Sequence, residues 1–101
     1  MNEIDIKELK NLIGRVNIID IRDSYIYNLG HIPTARNIPY NFLMMNPDVY
    51  LNKNDKYYLY CDQGIRSSRI CKNLLNSGYQ VVNVIGGYNL YNNWNKLLYV
   101  L

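Results

Sequence analysis

Cys61 is followed at short, regular distances by Gly64, Arg66 and Ser67, in the run Cys61-Asp62-Gln63-Gly64-Ile65-Arg66-Ser67-Ser68. Tyr57 to Cys61 reads as a central strand covered on both faces, and the residues from about Arg66 read as a helix. A thiol at the carboxyl end of such a strand meets the positive end of the helix dipole, the unpaired amides of its first turn and the guanidinium of Arg66. These three features favour the thiolate, the nucleophilic form of cysteine. Gly64 permits positive φ, so successive N–H groups can turn inward as a cup around whatever is attached to the sulfur, and such a cup suits an anion. Asp62 opposes an anion if it points inward, so it is expected to turn outward or to pair with a nearby base. The bland alternative is a buried strand cysteine followed by an ordinary turn.

The other candidate groups read as structural. Cys71 lies inside the same helix, flanked by Ile70 and Leu74, and is expected in the core; its minority role would be a resolving thiol. Cys61 and Cys71 match no zinc or disulfide framework, so they read as free thiols in a reducing compartment. His31 is the only histidine. It sits in a Gly-His-Ile-Pro turn and reads as a turn residue rather than a base; no multi-histidine metal site can exist. Arg66, Arg69 and Lys72 recur at three-residue steps along one side of the helix. For the last two a solvated face is the plainer reading.

Around this run the chain alternates short β-rich stretches with helical ones, which implies an α/β layer fold with a small, mainly parallel sheet and helices on both faces. Asp5 and Glu8 have capping-box spacing and predict a helix from Ile6 to Ile13 that ends at Gly14. Val16 to Ile21 predicts a strand. Ile70, Leu74 and Leu75 predict a helix from Arg66 to Ser77 that stops at Gly78, and Val81 to Ile85 predicts the next strand of a parallel crossover. Between Tyr40 and Leu51 one or two helical turns are expected, with Phe42, Leu43, Met44 and Met45 covering the core. Leu90, Trp94, Leu97 and Leu98 predict a final amphipathic helix.

Composition agrees. Leu, Ile, Val and Phe make up 31 of the 101 residues, far above the roughly 20% below which a chain stays disordered. The length suits one domain over residues 1–101. Apolar runs fall short of the ~20 residues of a membrane span, and Met1-Asn2-Glu3 carries no basic, apolar leader, so a cytoplasmic protein is expected. The net charge of +3 is too small to argue for nucleic acid. Its distribution is uneven: residues 63–101 carry Arg66, Arg69, Lys72 and Lys96 and no acid at all, which tunes that part towards anions.

The chain resembles the rhodanese-like sulfurtransferase family. Cys61, Gly64, Arg66 and Ser67 match its active loop Cys-x-x-Gly-x-Arg-Ser. Asp20-Ile21-Arg22 is similar to its Asp-x-Arg block, Gly30-His31-Ile32-Pro33 with Ala35, Asn37, Ile38 and Pro39 to its histidine signature, and Gly86-Gly87 to its late turn. The chain departs from the family pattern at Ile26, where an acid is frequent, at Thr34, where Gly is usual, and at Tyr91, commonly Trp. The apolar tail Leu97 to Leu101 is expected to pack on the core or on a partner.

This resemblance implies that Cys61 takes up a sulfane sulfur as a persulfide, with the amides from Asp62 through Gln63, Gly64, Ile65 and Arg66 to Ser67 cradling it and Arg66 holding an anionic donor. The implied partners are a small anion such as thiosulfate, a sulfur-carrier protein or a desulfurase; no metal or organic cofactor is implied. Loop length separates the classes: related phosphatases carry Cys-x5-Arg, whereas four residues lie between Cys61 and Arg66 here. The alternatives left standing are a phosphatase or arsenate-reductase-like enzyme on the same scaffold, and a non-turnover module that senses persulfide or redox state.

Overall fold

The computed structural model describes the backbone of residues 2–100 and the side chains of residues 2–96. Five strands form one all-parallel sheet: β1 (Glu3–Ile4), β2 (Asn17–Asp20), β3 (Arg36–Asn37), β4 (Lys56–Tyr60) and β5 (Gln80–Val84), in the spatial order β1-β5-β4-β2-β3. Among the described residues six helices accompany them: α1 (Ile6–Lys10), α2 (Ser24–Leu29), α3 (Tyr40–Met45), α4 (Pro47–Tyr50), α5 (Ile65–Asn76) and α6 (Gly87–Val100). The α/β class, the parallel sheet and the two-sided cover are those expected from the sequence.

β4 is the middle strand, and its two-residue period sorts side chains between two cores. Tyr57, Leu59 and Cys61 join Val81, Ile70, Cys71 and Leu74 on the α5 side. Tyr58 and Tyr60 join Val82, Val84, Leu9 and Tyr91 on the α1 and α6 side. β5 alternates in the same way, which puts Asn83, a polar residue, on the same face as Cys61.

The helix boundaries differ where local bonds differ. The Asp5 carboxylate accepts from the Glu8 amide at 2.7 Å, as the capping-box spacing predicts. α1 nevertheless stops at Lys10, because Leu12 and Arg15 bond three residues back, to Leu9 and Leu12, in tight turns instead of continuing. α5 begins one residue earlier than predicted and ends one earlier, at Asn76; the chain then turns as Gly78 and Tyr79 donate back to Leu75 and Leu74. β1, α2 and β3 carry no sequence signal: two strands are two residues long, too short to show a period, and α2 buries no residue.

Two expectations are corrected. Leu43 is fully buried and Met44 partly so, but Phe42 and Met45 are exposed, because a two-turn helix at the sheet margin has one narrow inward face. In α6 the inward position belongs to Tyr91 and not to Leu90, which is 48% exposed. Trp94 is partly buried. Leu97 and Leu98, and the packing of the tail to Leu101, lie outside the described side chains.

Candidate active site: the Cys61 loop

The loop after β4 is held from outside by α6. The amides of Tyr88 and Asn89, in the first turn of that helix, donate to the carbonyls of Cys61 (2.8 Å) and Asp62 (3.0 Å). Those carbonyls therefore face α6, and the loop amides that follow face the sulfur. Gly87 makes the approach possible: a Cβ there would collide with the Cys61 carbonyl oxygen and lie 2.7 Å from that of Asp62. Gly64 performs the inward turn at φ 90°, and a side chain on it would crowd the Gly86 amide at 3.1 Å. The Gly-Gly pair and the loop glycine are thus two halves of one contact.

Cys61 lines a pocket of about 310 Å3 together with Asp62, Gln63, Ile65 and Arg66. Only 4% of the residue is exposed. The sulfur accepts from the amides of Gly64 at 3.2 Å and Ser67 at 3.4 Å. It also donates to Ser67 Oγ at 3.4 Å, and that hydroxyl donates in turn to Asn83 Oδ1 at 2.5 Å.

Of the loop residues singled out from the sequence, Gly64 and Ser67 bring their amides onto Sγ. Gln63 and Ile65 wall the pocket, Ile65 with 64% of its surface exposed. Asp62 turns outward and pairs with Arg22 Nη1 at 3.6 Å. Arg66 is exposed at the pocket mouth with its guanidinium 4.7 Å from the centre of the Tyr40 ring. Cys71 is fully buried behind the site, where burial first and neighbouring Cys61 second push its thiol up to about 12. His31 stacks on Tyr27 with ring centres 3.7 Å apart, and its Nδ1 donates to the Tyr27 carbonyl. Among the described residues no group of His, Cys, Asp and Glu is arranged to hold a metal.

Sequence reasoning missed three contributors. Arg22, quoted only as part of a block, is buried and bridges Asp20 (Nη2–Oδ2 2.7 Å), the Gly30 carbonyl (2.7 Å) and Asp62, while lying 4.1 Å from the Tyr88 ring centre. Burial works against its charge, but the Asp20 carboxylate outweighs that and holds the guanidinium above its ordinary value. Asn83 had a visible signal, as the one polar residue in the run Val81 to Ile85. Tyr40 had none, since its role depends on how α3 meets α5.

Comparison with known proteins agrees with this fold. The Rhodanese-like domain family matches residues 5–93. A rhodanese-like domain protein from Staphylococcus aureus superposes with a TM-score of 0.81 at 35% identity, over 90% of this chain and 91% of that one. YtwF of Bacillus subtilis, provisionally named a sulfurtransferase, is 32% identical over 86% of each chain. YrkF of the same organism, provisionally named a sulfur carrier protein, is 30% identical over 84% of this chain, which spans about half (48%) of YrkF. On the family match and the fold, the chain belongs to the rhodanese-like domain family.

Proposed function

We propose that the protein is a sulfurtransferase in which Cys61 carries a sulfane sulfur as a persulfide. The observation that carries this reading is the pair of amides, Gly64 and Ser67, aimed at the sulfur of one buried cysteine that lines a pocket. Backbone donors in a sheltered pocket stabilise negative charge without reorganising.

With thiosulfate as donor, the Cys61 thiolate attacks the sulfane sulfur, a sulfur–sulfur bond forms, and the bond to the sulfite group breaks with its electron pair leaving on sulfite. A thiolate acceptor then attacks the outer sulfur of the persulfide, and the electron pair of that broken bond returns to Cys61. Neither step needs a base, because nucleophiles and leaving groups are anions throughout. That accords with a site in which His31 is occupied by Tyr27. Arg66 at the mouth draws in the dianionic donor, and the Arg22 guanidinium offsets the charge of Asp62 in the pocket lining. Exchange with a carrier protein is compatible with the same open mouth, and YrkF bears such a name. Two free thiols, Cys61 and Cys71, fit a reducing, cytoplasmic setting, and no described helix is long and apolar enough to cross a membrane.

Incubation with thiosulfate followed by mass spectrometry tests the reading. The expected result is a gain of one sulfur atom on the Cys61 peptide, removed by a reducing agent and absent in Cys61→Ser. An unmodified Cys61, or sulfur found on Cys71, overturns it.

A further inference from the structure

A second cleft lies beside the catalytic pocket and is the larger of the two, about 480 Å3. It runs between α5 and the part of the sheet where β1 lies beside β5. Gln63 and Ile65 line both cavities, so the cleft and the Cys61 pocket adjoin across these two side chains. Arg69 and Lys72 line it from α5, Ile85 from the end of β5 and Glu3 from β1.

Among the described residues no carboxylate pairs with the cations of this face, and Arg66 lies over the Tyr40 ring. Arg66, Arg69 and Lys72 are all exposed, and the ion pairs among the described residues are those of Arg22 with Asp20 and Asp62. A helix rises about 1.5 Å per residue, so the three cations span roughly 9 Å from the pocket mouth along the cleft. An extended peptide covers that span in about three residues and presents alternate side chains to one side. Ile65 and Ile85, 64% and 45% exposed, offer apolar walls for its backbone and side-chain stems.

We infer that this cleft docks an extended, acidic segment of the peptide or protein that exchanges sulfur with Cys61, its carboxylates meeting Arg69 and Lys72 and its reactive end entering the pocket past Gln63 and Ile65. The inference rests on the sulfur-transfer reading above. Nucleic acid fits less well, since among the described residues no aromatic side chain lines the cleft to stack a base and Glu3 opposes a run of phosphates. An acidic chain with alternating carboxylates can leave Glu3 facing a backbone N–H. Complementary charge of this kind acts mainly by steering encounter, and salt weakens it.

The test compares sulfur transfer from the thiosulfate-loaded protein to two synthetic thiol peptides, Glu-Ser-Glu-Ser-Cys and Gln-Ser-Gln-Ser-Cys. The wild type should favour the acidic peptide by about tenfold at low salt. The double variant Arg69→Gln, Lys72→Gln should bring that ratio close to one, and Lys72→Arg should keep it. Comparing variants on the same pair of peptides removes any difference between the peptides' own thiols. A ratio near one in the wild type, with the neutral peptide still accepting sulfur, overturns the inference and leaves the sulfurtransferase reading standing. If Cys61 takes up no sulfur at all, that reading fails, and docking is decided by fluorescence anisotropy with fluorescein-labelled Glu-Ser-Glu-Ser-Ser. Binding that the double variant abolishes supports the cleft; equal binding of the Gln counterpart, or preference for a single-stranded oligothymidine, overturns it.

Discussion

Ser67 donates its hydroxyl proton to Asn83 Oδ1 at 2.5 Å while its oxygen lies 3.4 Å from Cys61 Sγ, so a residue on β5 governs which way the hydroxyl beside the sulfur can turn. Asn83 is 3% exposed, and nothing else on the Cys61 side of β5 is polar between Val81 and Val84.

Replacing Asn83 should therefore affect both stability and chemistry. Asn83→Ala leaves a buried hydroxyl without its acceptor and should cost about 1–3 kcal/mol, read from urea unfolding. Asn83→Asp keeps the acceptor but adds a negative charge behind the sulfur, so persulfide formation from thiosulfate should fall further than in Asn83→Ala. Equal rates in the two variants would sink the electrostatic part of this account.

The two cysteines should separate cleanly by labelling. In the native state iodoacetamide should reach Cys61 and spare Cys71, which becomes reactive only on unfolding. Burial raises the Cys71 thiol to about 12, so the unfolded chain ionises there first. Its contribution to stability is complete below the unfolded value of about 8.5 and is lost as pH rises towards 12. Cys71→Ala should thus lose less stability than the wild type between those limits, a difference that denaturation at pH 8 and pH 11 reads directly. The variant itself should cost about 1 kcal/mol at neutral pH and leave sulfur transfer within about twofold.

Tyr40 positions Arg66. A cation over an exposed aromatic face is worth about 0.5–1 kcal/mol, so Tyr40→Leu should raise KM for thiosulfate two- to fivefold, by that same energy scale, and change kcat little. Tyr40→Phe keeps the ring face and should keep the wild-type KM. A neutral sulfur donor should be indifferent to both changes; a matching loss with that donor would mean that Tyr40 serves only the fold.

Thr34 holds φ 71°, in a turn closed by the Ala35 amide donating to the Ile32 carbonyl at 3.0 Å. A β-branched residue there is strained. Thr34→Gly should stabilise the protein by about 0.5–1 kcal/mol once the extra freedom of glycine in the unfolded chain is subtracted, seen as a higher urea midpoint with unchanged slope. A lower midpoint would show that the Thr34 side chain contributes more than its backbone costs.

Elements with a strong period or a local cap were legible in the residues alone. The α1 cap at Asp5, the core strands β4 and β5, α5 with its stop near Gly78, and the loop from Cys61 to Ser67 follow from spacing within a dozen residues, because the forces that shape them act between near neighbours in the chain. The same locality explains why Gly64, Ser67 and Cys61 lie together: one strand end and one helix start bring them there. What only the tertiary structure decided involves pairs far apart in sequence. Asn83 reaches Ser67 because β5 lies beside β4. Arg22 reaches Asp62 because β2 lies on its other side, and Gly87 must lack a Cβ because α6 starts against the Cys61 carbonyl. Phe42 and Leu90 face outward although their residue types predicted burial. Apolar character states that a side chain gains from leaving water, but the order of strands and the seating of helices determine whether there is a partner to cover it.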